Sequence, residues 1–200
     1  MYELPTDLPA DLAPLAWLIG VWEGTGVIEY AAPGRDVTAE FSHRVSFSHD
    51  GGDYLNYSAT AWLTDAGAAD RRLVAETGFW RLSRTLGDTD AGPALLPAVA
   101  PAAPRTADDV ESLRTARGGF ELEAVIVHSD GISELYLGEI TGPRVDLATD
   151  AVVRSAGAKD YAAATRMYGL VDSHLLWAWD IAAYGQELRS HASARLGRAE

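Results

Sequence analysis

Apolar and polar residues alternate with period two along most of the chain, the pattern of strands with one buried and one wet face. In "VTAEFSHRVSFSH", Val37, Ala39, Phe41, Val45 and Phe47 share one parity. Thr38, Glu40, Ser42, Arg44, Ser46 and Ser48 share the other. "DYLNYSATAWL" follows after the turn residues "DGG", and "RLVAETGFWRL" reads as a further strand. "FELEAVIVH" and "ISELYLGEI", joined by "SDG", form a hairpin. "RVDLATDAVV", "AAATRMYGLV" and "HLLWAWDIAAY" continue the series. Strands separated by short turns, with no helices between them, predict an all-β antiparallel sandwich or barrel rather than βαβ units.

Three stretches depart from this rhythm. "LPADLAPLAWLIG" predicts a short N-terminal helical turn within residues 8–19, capped by Asp7 or Asp11. Its apolar face (Leu12, Leu15, Leu18) is suited to cover one end of a barrel. The final "AYGQELRSHASARLGR" has good helix formers, and local propensity alone leaves helix and strand open there. Between Trp80 and Phe120 there is no aromatic residue, and four of the nine prolines (Pro93, Pro97, Pro101, Pro104) fall in that gap. Residues 84–118 therefore read as a flexible insertion between two strands, with a lid over a pocket as the alternative.

Composition narrows the class of partner. With 16 basic against 29 acidic side chains, the formal net charge is −13. That balance disfavours nucleic acid and anionic membrane surfaces as partners. The absence of cysteine excludes disulfides and thiolate metal sites. No apolar run approaches ~20 residues, and the acidic, polar start is unlike a secretory signal, so the cytoplasm is the expected location. One domain spanning residues 1–200 is expected.

In "GVWEGTGVIEY", Gly20, Trp22, Gly24, Gly26, Ile28 and Tyr30 share one parity. Glycine weakens a strand unless another backbone or a flat ligand comes close. A tight strand crossing at a barrel corner and a wall cleared for a planar ligand are both compatible with it.

The GxWxGxG pattern after "LAPLAWLIG" resembles the signature of the nitrobindin family. "FSHDGGDYLNY", "AETGFWR", "IVHSDGISELYLG", "AKDYAAATRMYGLVD" and "AAYGQELRSHASARL" are similar to further family landmarks in the same order, and together they span most of residues 12–197. The resemblance implies an antiparallel β-barrel of about ten strands, similar in shape to fatty-acid-binding proteins. It implies one haem b per chain, mostly ferric, reversible binding of nitric oxide, and isomerisation of peroxynitrite to nitrate. The haem iron of the family is held by a histidine in the motif that reads "LRSHASARL" here, which falls on His191. A neutral imidazole suits that role. The same resemblance turns the ambiguous tail into a closing strand, with His191 at the barrel mouth.

Lys159, the sole lysine, matches the family's "AK" segment and is a candidate donor to the haem propionates; an ordinary surface lysine is the alternative. Leu73 and Val74 stand before "AETG", where family members carry a histidine, so an apolar haem-facing wall and an open or water-filled sixth iron position are expected. His43 shares the inward parity of Phe41 and Phe47 and reads as a buried, hydrogen-bonded residue or a pocket residue. His49, before "DGG", is expected in a turn or hydrogen-bonding role, while His128 and His174 are expected to be exposed. The insertion holds no histidine or aromatic residue and is expected to be dispensable for haem uptake. No Ser-His-Asp or paired-carboxylate constellation is evident, which suits chemistry carried by a cofactor. Small molecules are the expected partners, for a monomer or homodimer. A lipocalin-like or fatty-acid-binding-like carrier of an apolar ligand is the alternative, since GxW also occurs in lipocalins.

Overall fold

The computed structural model describes residues 8–32, 35–64, 71–101 and 103–199. A 3₁₀ helix, Ala10–Leu18, leads into ten strands. These are β1 (Gly20–Ala32), β2 (Arg35–Ser48), β3 (Tyr54–Leu63), β4 (Arg71–Leu82) and β5 (Phe120–His128), followed by β6 (Ile132–Thr141), β7 (Arg144–Arg154), β8 (Tyr161–Val171), β9 (His174–Ala183) and β10 (Arg189–Arg198). Each pairs antiparallel with its sequence neighbour, and β1 also pairs with β10, which closes the barrel. The all-β, ten-stranded reading of the sequence is the fold observed, and the ambiguous tail is strand. Closure gives most strand positions a definite inward or outward parity, although β7 and β8 pair only over Arg144–Ala148 and Thr165–Gly169. In β2, Phe41, His43, Val45 and Phe47 are buried, with less buried residues between them.

The two ends of the barrel differ. At one end Leu12, Leu15 and Leu18 of the 3₁₀ helix are fully buried and plug the opening. The helix is not capped by an acidic residue: Pro9 holds the cap position without a side-chain hydrogen bond. Asp11 is instead inside the helix, buried, with Arg105 Nε 3.3 Å away. Asp7 lies outside the described residues. Trp22 Nε1 donates to the Leu18 carbonyl at 2.8 Å, and the Arg198 guanidinium covers the indole at 4.4 Å. The glycines of the same strand serve strand crossing. A Cβ on Gly24 would stand 2.3 Å from the Arg195 carbonyl oxygen, and one on Gly26 would meet Ser193 O, Phe41 and Ala194 at 2.3–2.8 Å.

Residues 84–118 join the end of β4 to the start of β5, and so lie at this plugged end. A short helix, α1 (Ala107–Glu111), starts with Thr106 and Asp109 in a reciprocal capping box. Val110 is 4% exposed and packs in the core, with Leu113 against it. Arg84 bridges Asp53 and Asp90 across the base of the segment.

Between the plug and the open end the barrel interior holds charge. Arg166 on β8 is fully buried and donates from Nη1 and Nη2 to the two oxygens of Glu76 on β4, both at 2.8 Å. Its Nη2 also lies 3.3 Å from Glu134 on β6, and its Nε donates to the Tyr136 hydroxyl oxygen at 2.9 Å. Tyr57 donates to Glu76 at 2.7 Å, and Tyr136 and Tyr161 donate to Glu134 at 2.7 and 2.6 Å. Burial pushes the Glu76 carboxyl upward, but Arg166 beside it outweighs burial and holds it at about 2.

Removing one partner of such a pair leaves an uncompensated buried charge, which costs about 3–5 kcal/mol. Arg166→Met should therefore lower unfolding stability by about that amount in urea titrations, and adding Glu76→Gln and Glu134→Gln should recover most of it. A loss below ~1 kcal/mol for Arg166→Met would show the cluster to be dispensable. Deleting residues 85–117 removes Val110 from the plugged end and should lower Tm by several degrees. Haem uptake, measured by titration, should persist, because the cavity described below lies at the other end.

Candidate functional site

The open end leads into a cavity of about 320 Å³. Ile28, Phe41, Leu73, Val74, Trp177, Trp179 and Ile181 supply apolar wall, while His43, Glu76, His128, Tyr161 and His191 supply polar groups. A wider hollow, about 950 Å³, lies on the barrel's outer side, bordered by the exposed Leu137, Arg144 and Asp146. It is open surface, and the convergent buried polar groups are in the smaller cavity.

Four residues singled out in the sequence meet in this cavity: His191, Lys159, Leu73 and Val74. Gly20, Trp22, Gly24 and Gly26 do not border it; their contacts are with β10 and the plug. His191 reaches it through a local irregularity. Ala192, Ala194 and Leu196 carry the inner parity of β10, so strict alternation would turn residue 191 outward. The register between β10 and β9 shifts between Ser190 and Ala192, a bulge that frees His191 from the alternation. Its ring packs edge-on to the inward Trp179, centroids 5.8 Å apart. A second shift, between Ala61 and Trp62 of β3, falls opposite Leu73 of β4 and puts that exposed leucine on the cavity rim.

The tautomer of His191 follows from its partner. Nδ1 lies 3.0 Å from the Glu29 carbonyl oxygen, which can only accept, so Nδ1 carries the hydrogen and Nε2 keeps its lone pair. Burial pushes the ring's pKa below its ordinary value, although the bond to Glu29 opposes that, and the neutral, ligating form is favoured. Lys159 is exposed at the rim.

His43 is buried, with Nδ1 3.1 Å from the Thr60 carbonyl oxygen and, among the described residues, no partner for Nε2. Its ring stands 4.7 Å from that of Trp177, and the indole nitrogens of Trp177 and Trp179 also lack partners. Three unpartnered buried nitrogens in one cavity wall mark a place where a ligand or water completes the hydrogen bonding. An apolar, aromatic hollow with one imidazole in the ligating tautomer fits a haem, with His191 the residue that would hold the iron and Lys159 one that would meet the propionates at the rim.

Two histidines differ from expectation. His128 is buried rather than exposed, its Nε2 2.6 Å from Glu134. It shares the inner parity of Leu122, Ala124 and Ile126, a signal that its place before the "SDG" turn obscured. His174 is half-buried at the plugged end, with Nδ1 2.7 Å from the Asp172 carbonyl oxygen. Glu76, Glu134 and Arg166 were legible in the same way, as charged residues on inward positions of β4, β6 and β8.

Burial holds the His43 ring neutral down to about pH 4; Glu76 and the Thr60 bond oppose this, and Arg166 adds to it. The unfolded chain binds that proton near pH 6.5. Stability should therefore fall as pH drops from about 6.5 toward 4, by about 2–3 kcal/mol from this residue alone. Denaturant titrations of the haem-free protein at pH 7.0 and 4.5 should show the loss, and His43→Leu should remove most of it. An equal loss in the variant would assign the effect elsewhere.

The model of the THAP4-like, heme-binding beta-barrel domain matches residues 11–198. A protein named peroxynitrite isomerase from Leifsonia xyli subsp. xyli is 64% identical over 100% of both chains. Its namesake from Clavibacter michiganensis subsp. michiganensis is 56% identical, also over 100% of both. One from Renibacterium salmoninarum is 53% identical over 97% of this chain and 91% of its own. Among solved structures, Rv2717c from M. tuberculosis matches with a TM-score of 0.65 and 25% identity, covering 99% of this chain and 100% of that one. The chain belongs to the nitrobindin family of haem-binding β-barrels.

Proposed function

We propose that this protein is a peroxynitrite isomerase that carries one haem b per chain on His191, binds nitric oxide reversibly at the same iron, and works in the cytoplasm as a monomer or homodimer. The observation that carries this reading is the His191 imidazole: bulged into an aromatic cavity, with Nδ1–H fixed on a carbonyl so that Nε2 keeps its lone pair. A carrier of apolar ligands has no use for that arrangement. The names of the relatives, at up to 64% identity over the whole chain, support the same reading.

When bound, the haem supplies a Lewis-acidic iron. The chain's own residues do the rest. His191 Nε2 offers the lone pair, and the Glu29 carbonyl fixes the ring's orientation. Ile28, Leu73, Val74 and Ile181 keep water from the reacting atoms. Lys159 offers an ammonium to carboxylates at the rim. Peroxynitrite and nitrate contain the same atoms and the same charge, so the reaction needs no net proton, which accounts for the lack of a hydrolase-like constellation.

Replacing His191 with alanine should leave the barrel folded and porphyrin uptake measurable, because the apolar walls remain. The Soret band should change in position and intensity, and isomerisation by the loaded protein should fall steeply toward that of free haem. His174→Ala, at the plugged end, is the control and should match the parent. Identical spectra and rates in parent and His191→Ala would overturn the axial role.

A further inference from the structure

Among the described residues, β7 is the one strand that gives the cavity no border residue. It alternates from Arg144 to Ala148, with Val145 and Leu147 buried, and pairs there with Thr165–Gly169 of β8. Toward the mouth the two strands part. Thr149 Oγ1 accepts from the Ala164 N–H at 3.0 Å and donates to the Ala164 carbonyl oxygen at 3.3 Å, so a side chain stands where the next ladder bonds would form. Beyond it, residues 150–154 of β7 and 161–163 of β8 are not paired with each other. Each lip bulges at this level: Asp150 is an extra residue against β6, and Ala162 is one against β9. No residue from Ala148 to Asp160 is buried. The barrel wall is split from the mouth down to Thr149.

Residues 155–160 run from one lip to the other and carry Lys159. Each end of this segment is anchored to its own side. The Ser155 N–H donates to the Gly131 carbonyl of the turn between β5 and β6, at 2.9 Å. On the far side the Gly185 N–H, from the connection after β9, donates to Asp160 Oδ2 at 3.0 Å. Arg154, at the end of β7, reaches across: its Nη1 donates to Asp160 Oδ1 at 2.8 Å and to the Lys159 carbonyl at 3.1 Å. The two side chains are 39% and 47% exposed, so the link is weak and reversible. Lys159, Asp160 and Tyr161 border the cavity, and parting the lips widens the way into it.

We propose that the split between the mouth halves of β7 and β8 is the entrance for a flat, amphipathic ligand, and that residues 155–160, latched by Arg154 on Asp160, are the strap that closes it. A planar molecule entering edge-on needs a slot, and these lips part without the loss of a ladder bond between them. Closure carries Lys159 over the entrance, where its ammonium meets the ligand's charged edge. The proposal rests on the reading of the cavity as a haem site.

The chain has no cysteine, so Arg154→Cys combined with Asp160→Cys can be bridged selectively by a bis-methanethiosulfonate, and reduction releases the bridge. Ferric haem is the probe. The bridged protein should take up and release haem about tenfold or more slowly than the same protein unbridged, with Kd nearly unchanged, because a gate acts on both rates alike. Arg154→Met opens the latch but leaves the Gly185 bond to Asp160, and should speed both rates by up to about fivefold, the range open to an exposed ion pair. Rates that the bridge leaves unchanged overturn the proposal, as does a bridge that alters Kd through one rate alone. Unchanged rates in Arg154→Met remove Arg154 as the latch. Hydrogen exchange in the haem-free protein is an independent measure: the Ala164 N–H and the amides of residues 150–160 should exchange faster unbridged than bridged. Equal exchange shows that the lips do not part and overturns the proposal. A parent that takes up no haem overturns the functional reading instead, and the exchange rates then still decide whether the split opens.

Discussion

The barrel interior is organised around the buried pairing of Arg166 with Glu76. A guanidinium and a carboxylate far from water are stable only when each lone pair and proton has a partner. Here the two are joined by a pair of 2.8 Å bonds, and Glu134, Tyr57 and Tyr136 occupy the remaining valences. Because the partners come from β3, β4, β6 and β8, the cluster ties together strands on opposite sides of the barrel. It also separates two regions of different character: below it the leucine plug and aromatic core, above it the cavity. The floor of the site is therefore a structural layer, and its rigidity is what holds His128 and Glu76 at the cavity's edge.

Regular alternation builds the barrel, and departures from it build the site. Strict parity would send His191 outward, yet it borders the cavity with its ring against Trp179. The bulge between Ser190 and Ala192 reverses that, and a similar shift opposite Leu73 brings an otherwise outward leucine onto the rim. Another register shift, between Tyr161 and Ala163, lets Tyr161 share the interior with Ala164 and Arg166 despite its opposite parity. These three irregularities lie at the open end, while the plugged end keeps its alternation. Bulges cost ladder hydrogen bonds, so their clustering at the mouth marks where side-chain direction mattered more than sheet regularity.

Much of this was legible in the sequence. The alternation of β2 and the hairpin of β5 and β6 gave strand positions within a residue or two, because these three strands keep one inward parity along their length. The motifs around Trp22 and His191 gave the family, which local propensity could not, since "GQELRSHASARL" also suits a helix. What stayed hidden depends on distant partners. Asp11 looked like a helix cap and is instead buried opposite Arg105, almost a hundred positions away in the chain. His128 looked exposed because it precedes a turn, but its burial depends on Glu134 and Glu76, which only the fold brings to it. Bulges leave no mark in a hydrophobic pattern, so the direction of the His191 ring could not be read from parity.

The division of the barrel into two ends explains why the long insertion and the cavity coexist. A segment of mixed alanine, proline and aspartate placed at the mouth would compete with any ligand for the aromatic walls. Joined to β4 and β5 at the plugged end, it instead adds Val110 to the core and Arg105 to Asp11, and among the described residues the connections around Asp130, Lys159 and Tyr184 border the mouth. Among the described residues the mouth is bordered by the exposed Asp130, Lys159 and Tyr184 together with Leu73, and the cavity behind it has aromatic and aliphatic walls above the ionic floor. A flat ligand with an apolar face and a charged edge matches that arrangement of walls and rim. A fatty acid would match the apolar walls but would not use the imidazole that the bulge of β10 brings to the cavity.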